Sequence, residues 1–243
     1  MEGQRVALVT GAAKRVGRAI AQRLAGAGYD IAFTYLSSKR EADELTKALA
    51  AQGRRGLAIK ADLTKPEKAS VRIFDEVGTA FNRLDVLVNN ASLYDPGRLA
   101  EATAAQARRL NAIHLESPLL LCQRFAPLLR SSRGHVVNMV DLLAERPWPQ
   151  YLAYCASKAA LVNLTLGLAR ELAPEVTVNG IAPGVVEWPD DYPEEERQKY
   201  LRRVPLARPG TAEDVADVVH FLCTGGRYLT GQILRLDGGR SIT

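Results

Sequence analysis

The amino-acid sequence predicts an α/β fold: a doubly wound parallel sheet of about seven strands with helices on both faces. Three observations predict it. Short apolar, β-branched runs recur along the chain, helical stretches separate them, and the first run ends in a glycine-containing turn that opens a helix. Strands joined through helices lie parallel with right-handed crossovers, and that alternation builds a doubly wound sheet.

The elements follow in order. Residues 5–10 (Arg-Val-Ala-Leu-Val-Thr) form the first strand, and Gly11-Ala12-Ala13-Lys14-Arg15-Val16-Gly17 leads into an amphipathic stretch. Gly11 permits the turn and Gly17 close helix packing, which leaves amides at the helix N-terminus for a pyrophosphate. At position 15, where many such loops have a third glycine, Arg15 either offers a guanidinium to anions or is a solvated turn residue. A second strand over 30–35 runs into Leu36-Ser37-Ser38-Lys39-Arg40, where a dinucleotide fold meets the adenosine ribose. No carboxylate stands there to bond a ribose 2′-hydroxyl. Hydroxyls and cations suit a 2′-phosphate, so the segment points to NADP, although Ser-Ser-Lys-Arg also reads as a helix cap and first turn.

Strands over 56–61 and 84–88 end at Asp62-Leu63 and at Asn89-Asn90-Ala91-Ser92. A long helical region over 103–129 carries Asn111. The run over 135–140 ends at Asp141, a helix is expected over 154–170, and 176–181 forms a strand that opens into Ala182-Pro183-Gly184. The Pro-, Asp- and Glu-rich stretch that follows has little apolar content and marks a lid over a strand end, set around 187–203. Thr211 caps a helix over 211–222, with Glu213 and Asp214 in its first turn. A last strand over 232–236 ends in Asp237-Gly238-Gly239. Neither an internal repeat nor a linker is apparent, so the 243 residues read as one domain.

Composition narrows the function. Hydrophobic residues make up 47% and charged residues 24%, and the net charge is +5 with Arg and Lys dispersed. That argues against nucleic acid and for an anionic small molecule. Cys122, Cys155 and Cys223 lack CxxC spacing and form no ligand pattern with His114, His135 and His220, so reduced thiols and no metal site are expected. With no apolar run of membrane-spanning length and no signal peptide after Met1-Glu2-Gly3, the expected address is cytoplasmic, without membrane association.

The stretch from Asp141 to Lys158 concentrates an acid, a phenol and an ammonium. On a helix, Tyr154 and Lys158 share one face, and a cation beside the phenol lowers its pKa from about 10 toward neutrality, making Tyr154 a proton donor and acceptor. Asp141, at the carboxyl end of a strand, lies on the edge where open α/β sheets bind ligands.

In order and spacing, Thr10-Gly11 with Gly17, Asp62, Asn89-Asn90-Ala91, Asn111, Tyr154 with Lys158, Pro183-Gly184, and Gly231 with Asp237-Gly238-Gly239 resemble the short-chain dehydrogenase/reductase family over essentially the whole chain. The resemblance implies a single-domain Rossmann fold and a homotetramer whose interface uses the helices around Asn111 and after Tyr154, covering Leu161-Val162-Asn163-Leu164. It implies Tyr154 as general acid/base, Lys158 on the nicotinamide ribose, and Asn111 on a proton-relay water. NADP(H) contacts are implied for Gly11, Arg15, Val16, Ser37, Ser38, Asp62, Leu63, Asn89, Ala91, Ser92, Tyr154, Lys158, Pro183 and Gly184.

Three positions depart from the common pattern. Arg15 replaces a glycine, Asp141 stands where most members carry a serine, and Trp188 follows Pro183-Gly184 where a threonine is usual. The first two resemble the pteridine reductases, as do Asn138-Met139-Val140-Asp141, Asp190-Asp191 and Phe221-Leu222-Cys223. By that likeness the substrate is a pterin or folate reduced at a C=N bond, held by Arg15, Ser92, Tyr94, Asp141, Tyr154 and Trp188. Asp141 is either a carboxylate acceptor or a protonated donor, since burial raises its pKa and Lys158 lowers it. Two other readings stand beside this one: a 3-oxoacyl-acyl carrier protein reductase of the same fold, and an NADP-sensing protein without catalysis. An ionised acid at 141 disfavours a developing oxyanion, and intact Tyr154, Lys158 and Asn111 disfavour loss of catalysis.

Overall fold

A computed structural model describes residues 4–188 and 192–243. The strands are β1 (Val6–Val9), β2 (Asp30–Tyr35), β3 (Gly56–Lys60), β4 (Val86–Asn89), β5 (His135–Met139), β6 (Thr177–Pro183) and β7 (Ile233–Leu236). All pair in parallel in one sheet of order β3-β2-β1-β4-β5-β6-β7. The helices are α1 (Arg15–Gly26), α2 (Lys39–Ala51), α3 (Pro66–Phe81), α4 (Ala104–Asn111), α5 (Ser117–Ser132), α6 (Leu152–Glu171), α7 (Glu194–Leu201) and α8 (Ala212–Thr224).

The strands read as unbroken apolar runs because the sheet is covered on both faces. Successive side chains still alternate. Ala7, Val9, Ile31 and Phe33 face a core with Ile20, Leu24, Leu45 and Val219 of α1, α2 and α8. Val6, Leu8 and Ala32 face the opposite core, with Ile73, Phe125 and Leu168 of α3, α5 and α6. Strand order reverses at β1, which pairs with β2 on one side and β4 on the other. A crevice opens beyond the carboxyl ends of the strands at such a reversal. Gly11, Asn90, Asp141 and Gly184 all follow strand ends there.

The structure differs from the expected elements in three places. The region expected as one helix over 103–129 is interrupted by a π-type turn over Ala112–Glu116. Pro118 has no N–H to give the carbonyl of His114 four residues back, so the regular ladder fails there and the turn widens. Leu161 is 2% exposed, covered within the chain by Val140 and Ala182, so it requires no partner subunit; Leu166 on the same helix stays 42% exposed. Finally, α6 is long and apolar enough to cross a membrane by length and composition alone, contrary to the expectation that no run reaches that length. Its Tyr154, Lys158, Leu161 and Thr165 are buried against the rest of the chain, as in a core helix.

Candidate active site

One cleft of about 930 Å³ runs along the carboxyl edge of the sheet. At one end it is lined by Gly11, Leu36, Asp62 and Asn90, in the middle by Ser92, Tyr94 and Asp141, and at the other end by Trp148, Tyr200 and three arginines.

The nucleotide end is built by close backbone approach. Gly11 has φ +65°, and a Cβ there would lie 3.0 Å from the Ala91 Cα. A Cβ on Gly17 would lie 2.6 Å from the Gly11 carbonyl oxygen, closer than side chains tolerate. Lys14 precedes α1 without a side-chain capping bond, so the first-turn amides are open to an anionic ligand. Ser38 likewise starts α2 without a side-chain cap, which removes the helix-cap alternative for its hydroxyl. Lys39 pairs with Asp43 and Arg40 with Glu44 on the same helix. Asp62 accepts from the Thr64 amide and hydroxyl at 3.0 and 2.6 Å, and the hydroxyl bond holds its carboxyl below the usual range. Val16, Leu63, Ala91 and Gly184 line the cleft, whereas Ser37, Ser38 and Pro183 do not, and Tyr154 and Lys158, 4% and 2% exposed, are buried and do not line it either. Arg15 does, in a left-handed conformation with φ 53°, and its guanidinium is engaged by Glu187 across the cleft.

Asn89 is corrected. Its side chain lies 5% exposed beneath the sheet edge and donates to Asn138 Oδ1 at 2.8 Å. The strand alternation turns the next residue to the cleft: Asn90 lines it and donates to the Thr10 carbonyl oxygen at 2.8 Å.

At the centre, the Tyr154 hydroxyl donates to Asp141 Oδ2 at 2.6 Å, and Asp141 Oδ1 accepts from the Leu143 amide at 2.8 Å. The Lys158 ammonium donates to the Met139 carbonyl oxygen at 2.8 Å and stands 5.8 Å from the Tyr154 ring centroid. The tyrosine pKa therefore moves opposite to expectation. Burial, then the Asp141 charge, push it well above 10, because the carboxylate and not the ammonium meets the hydroxyl. Burial raises the Asp141 pKa against the Leu143 and Tyr154 hydrogen bonds and the Lys158 charge. Burial also lowers the Lys158 pKa to about 8, with Asp141 opposing.

Asn111 is the second correction. It ends α4 with an exposed side chain and does not line the cleft. One turn later the π-type turn directs His114 inward, with its ring edge-on to Tyr154 at 5.5 Å. Ser157 Oγ donates to the Tyr154 carbonyl oxygen at 2.7 Å, so at 2.8 Å from His114 Nδ1 it must accept an Nδ1–H. Nε2 is then an acceptor and takes the hydroxyl hydrogen of Ser92 at 2.8 Å. Burial, then the Lys158 charge, lower the His114 pKa to about 2, which keeps the ring neutral. Ser92 consequently shows only lone pairs to the cleft, where it can accept from a ligand N–H. Pro118, four residues beyond His114, is the one local signal in the sequence that could have located this turn.

The cleft walls are more aromatic than expected. Tyr94 stacks on Tyr151 at 4.4 Å and meets Tyr154 edge-on at 4.9 Å. Trp188 meets Tyr192 at 4.8 Å and Tyr200 at 5.3 Å, and Trp148 meets Tyr200 at 6.3 Å. Tyr151 is the N-cap of α6, three residues before Tyr154, and the two rings meet edge-on at 6.4 Å. Asp190-Asp191, and with them part of the 187–203 segment, lie outside the described residues.

A glycine turn on a doubly wound sheet, with a buried phenol, carboxylate and ammonium beside it, defines an oxidoreductase of the Rossmann type. The family model described as enoyl-(acyl carrier protein) reductase matches residues 11–241. The chain belongs to the short-chain dehydrogenase/reductase family. It is 36% identical over 282 residues to pteridine reductase 1 of Leishmania tarentolae, covering 98% of this chain and 96% of that one. It is 34% identical over 244 residues to the 3-oxoacyl-[acyl-carrier-protein] reductase FabG of Staphylococcus aureus strain Mu50, covering 98% and 99%. Among solved structures, a short chain dehydrogenase from Burkholderia cenocepacia J2315 in complex with NADP superimposes with a TM-score of 0.91 at 36% identity over 98% of each chain.

Proposed function

We propose that this protein is an NADPH-dependent reductase of pterins, of the dihydropterin or dihydrofolate type, acting at a C=N bond. The observation that carries the proposal is the 2.6 Å hydrogen bond from Tyr154 to Asp141, at a position where carbonyl reductases of the family place a neutral hydroxyl. An ionised acid repels the oxyanion that carbonyl reduction develops, whereas a ring nitrogen that gains the Tyr154 proton ends neutral and meets no such repulsion.

The residues fit NADP(H) by the uncapped α1 amides, the space kept open at Gly11 and Gly17, and the hydroxyl of Ser38, which no helix cap uses, in a segment over 36–40 that holds no carboxylate. When bound, NADPH supplies the hydride. This chain's residues supply the rest. Tyr154, kept protonated by burial and by Asp141, releases its bond to Asp141 as it gives that proton to the substrate nitrogen, and the phenolate left behind, balanced by the Lys158 charge, regains a proton from solvent. Lys158, anchored on Met139, supplies positive charge beneath the phenol and, by family likeness, a donor to the nicotinamide ribose. Ser92, turned by His114 into an acceptor, suits an amino or amide N–H. The Tyr94–Tyr151 stack and Trp188 provide flat walls for a fused ring. The segment around 187–203 serves as lid, tied to the nucleotide loop through Glu187 and Arg15.

The rival reading, reduction of 3-oxoacyl thioesters, is supported by the FabG relative at 34% identity. NADPH consumption with dihydropterin, dihydrofolate and 3-oxoacyl thioester substrates tests the choice. Reduction of either pterin substrate with higher kcat/KM than the thioesters supports the proposal; thioester reduction alone refutes it. The homotetramer is part of the same reading, supported by exposed Leu119 on α5 and Leu166 on α6. A monomer by light scattering would exclude it.

A further inference from the structure

Beyond the aromatic walls, three guanidiniums from three separate segments meet at the end of the cleft away from the nucleotide turn. Arg146 follows β5, Arg203 follows α7, and Arg240 begins the turn after β7; all three line the cleft. Among the described residues, none of the three is paired with an Asp or Glu side chain. The acid that attracts Arg240, Asp237, commits its two oxygens to the amides of Gly239 and Ser241 at 3.0 and 2.7 Å. Thr243 is the last residue of the sequence, so the oxygen that Arg146 and Arg240 share, at 3.4 and 3.5 Å, belongs to its main-chain carboxylate: one anion, at the long limit of a hydrogen bond, facing three guanidiniums.

Arg240 is 8% exposed, and its Nε is buried without a hydrogen-bond partner among the described residues. Its guanidinium lies 5.4 Å from the Tyr200 ring centroid, a contact that holds it in place without neutralising it. Burial, then the charges of Arg203 and Arg146, lower its pKa against the opposing effects of Tyr200 and Asp237, as expected where cations outnumber anions. A buried, unpaired charge is costly, and removing one partner of a buried pair leaves the other strongly destabilised. A cluster that remains cationic in a ligand cleft is accounted for when the ligand brings the missing anion.

We infer that Arg146, Arg203 and Arg240 form an anion subsite that takes a carboxylate or phosphate carried on the arm of the substrate, away from the group being reduced. The planar fork of arginine matches both anions. The geometry has the right sequence of parts. From Tyr154 the rings of Tyr151, Trp148 and Tyr200 follow at successive centroid separations of 6.4, 6.3 and 6.3 Å, and Arg240 covers Tyr200. Trp148 and Tyr200, the members of that row that line the cleft, offer a wall to a flat arm with its charge at the guanidiniums. The inference rests on the cleft being the substrate site of a reductase, and it adds that the preferred substrate is anionic at its far end.

Direct binding tests it apart from turnover. The sequence holds two tryptophans, Trp148 and Trp188, and both touch Tyr200, so their fluorescence reports on this end of the cleft. The NADP⁺-loaded protein is titrated with para-aminobenzoylglutamate against the neutral para-aminobenzamide, and with pantetheine phosphate against pantetheine. At least one anion is expected to bind about 10-fold or more tightly than its neutral twin, an advantage that shrinks with salt. Preference for the glutamate identifies a carboxylated arm, and preference for the phosphate a phosphorylated one. In the double variant Arg146→Gln/Arg203→Gln, which leaves the buried Arg240 in place, the advantage disappears; retained NADP⁺ binding verifies folding. Equal binding of charged and neutral twins by the wild type, or an undiminished preference in the double variant, overturns the inference. Because no turnover is read, this result and the failure of the pterin reading are distinguishable.

Discussion

Tyr154 gives its hydroxyl hydrogen to Asp141 across 2.6 Å, and the ammonium four residues along the same helix bonds a backbone carbonyl instead. The phenol of the free protein is thus a held donor, suited to reduction, and the nearby group that titrates close to working pH is Lys158, at about 8.

Replacing Tyr154 by Phe is expected to lower kcat by about 10²–10⁴-fold, the usual scale for a lost acid/base group, while NADPH affinity is retained. Lys158→Ala is expected to damage both turnover and cofactor affinity. In the wild type, the alkaline limb of kcat/KM belongs to the free enzyme and is expected near pH 8, where Lys158 loses its proton. A profile that stays flat to pH 10, or a Lys158→Ala variant with normal NADPH binding, contradicts this assignment.

Much of this was legible in the sequence, and the failures have definite causes. The strands β2 and β5 announce themselves as apolar runs because both faces of the sheet are covered, and the glycine turn and α6 spacing place the nucleotide end and the phenol. Asn89 and Asn90 could not be told apart, since which neighbour faces the crevice depends on strand register. Asn111 is matched to the family motif by order along the chain, whereas the inward-facing position is His114, three residues on within the π-type turn. The direction of the Tyr154 shift depends on which charge reaches its oxygen, a matter of ångströms. The arginine cluster joins positions 146, 203 and 240, which no local pattern connects.

His114 offers a pH-dependent test. Its folded pKa, about 2, lies below the ordinary 6.5, so the unfolded chain takes up its proton first and stability falls as pH drops below 6.5. His114→Asn can still accept from Ser92 and donate to Ser157, and is expected to fold with a shallower loss of stability between pH 6.5 and 4. The shifts of His135 and His220 are common to both proteins and cancel in the difference. His114→Ala leaves the Ser92 hydroxyl without its acceptor and Ser157 without its donor, and is expected to cost about 1–3 kcal/mol. Identical pH–stability slopes for wild type and His114→Asn, measured by denaturant titration, would exclude a buried neutral His114.

Cofactor preference is tested at the end of β2. Ser37→Asp sets a carboxylate next to Ser38, whose hydroxyl the proposal gives to the 2′-phosphate, and like charges side by side cost several kcal/mol. The ratio of kcat/KM for NADPH over NADH is expected to fall by about 10-fold or more. An unchanged ratio would remove this segment from phosphate recognition.

The most direct test of the central claim, that Asp141 fits the site to a ring nitrogen rather than a carbonyl oxygen, is kcat/KM of wild type and Asp141→Ser with NADPH, on dihydropterin and on a 3-oxoacyl thioester. The account predicts that the substitution lowers dihydropterin reduction by about 10²-fold or more while thioester reduction holds or rises. A wild type that reduces the thioester well and neither dihydropterin nor dihydrofolate, or an Asp141→Ser variant that loses both activities equally, would contradict it.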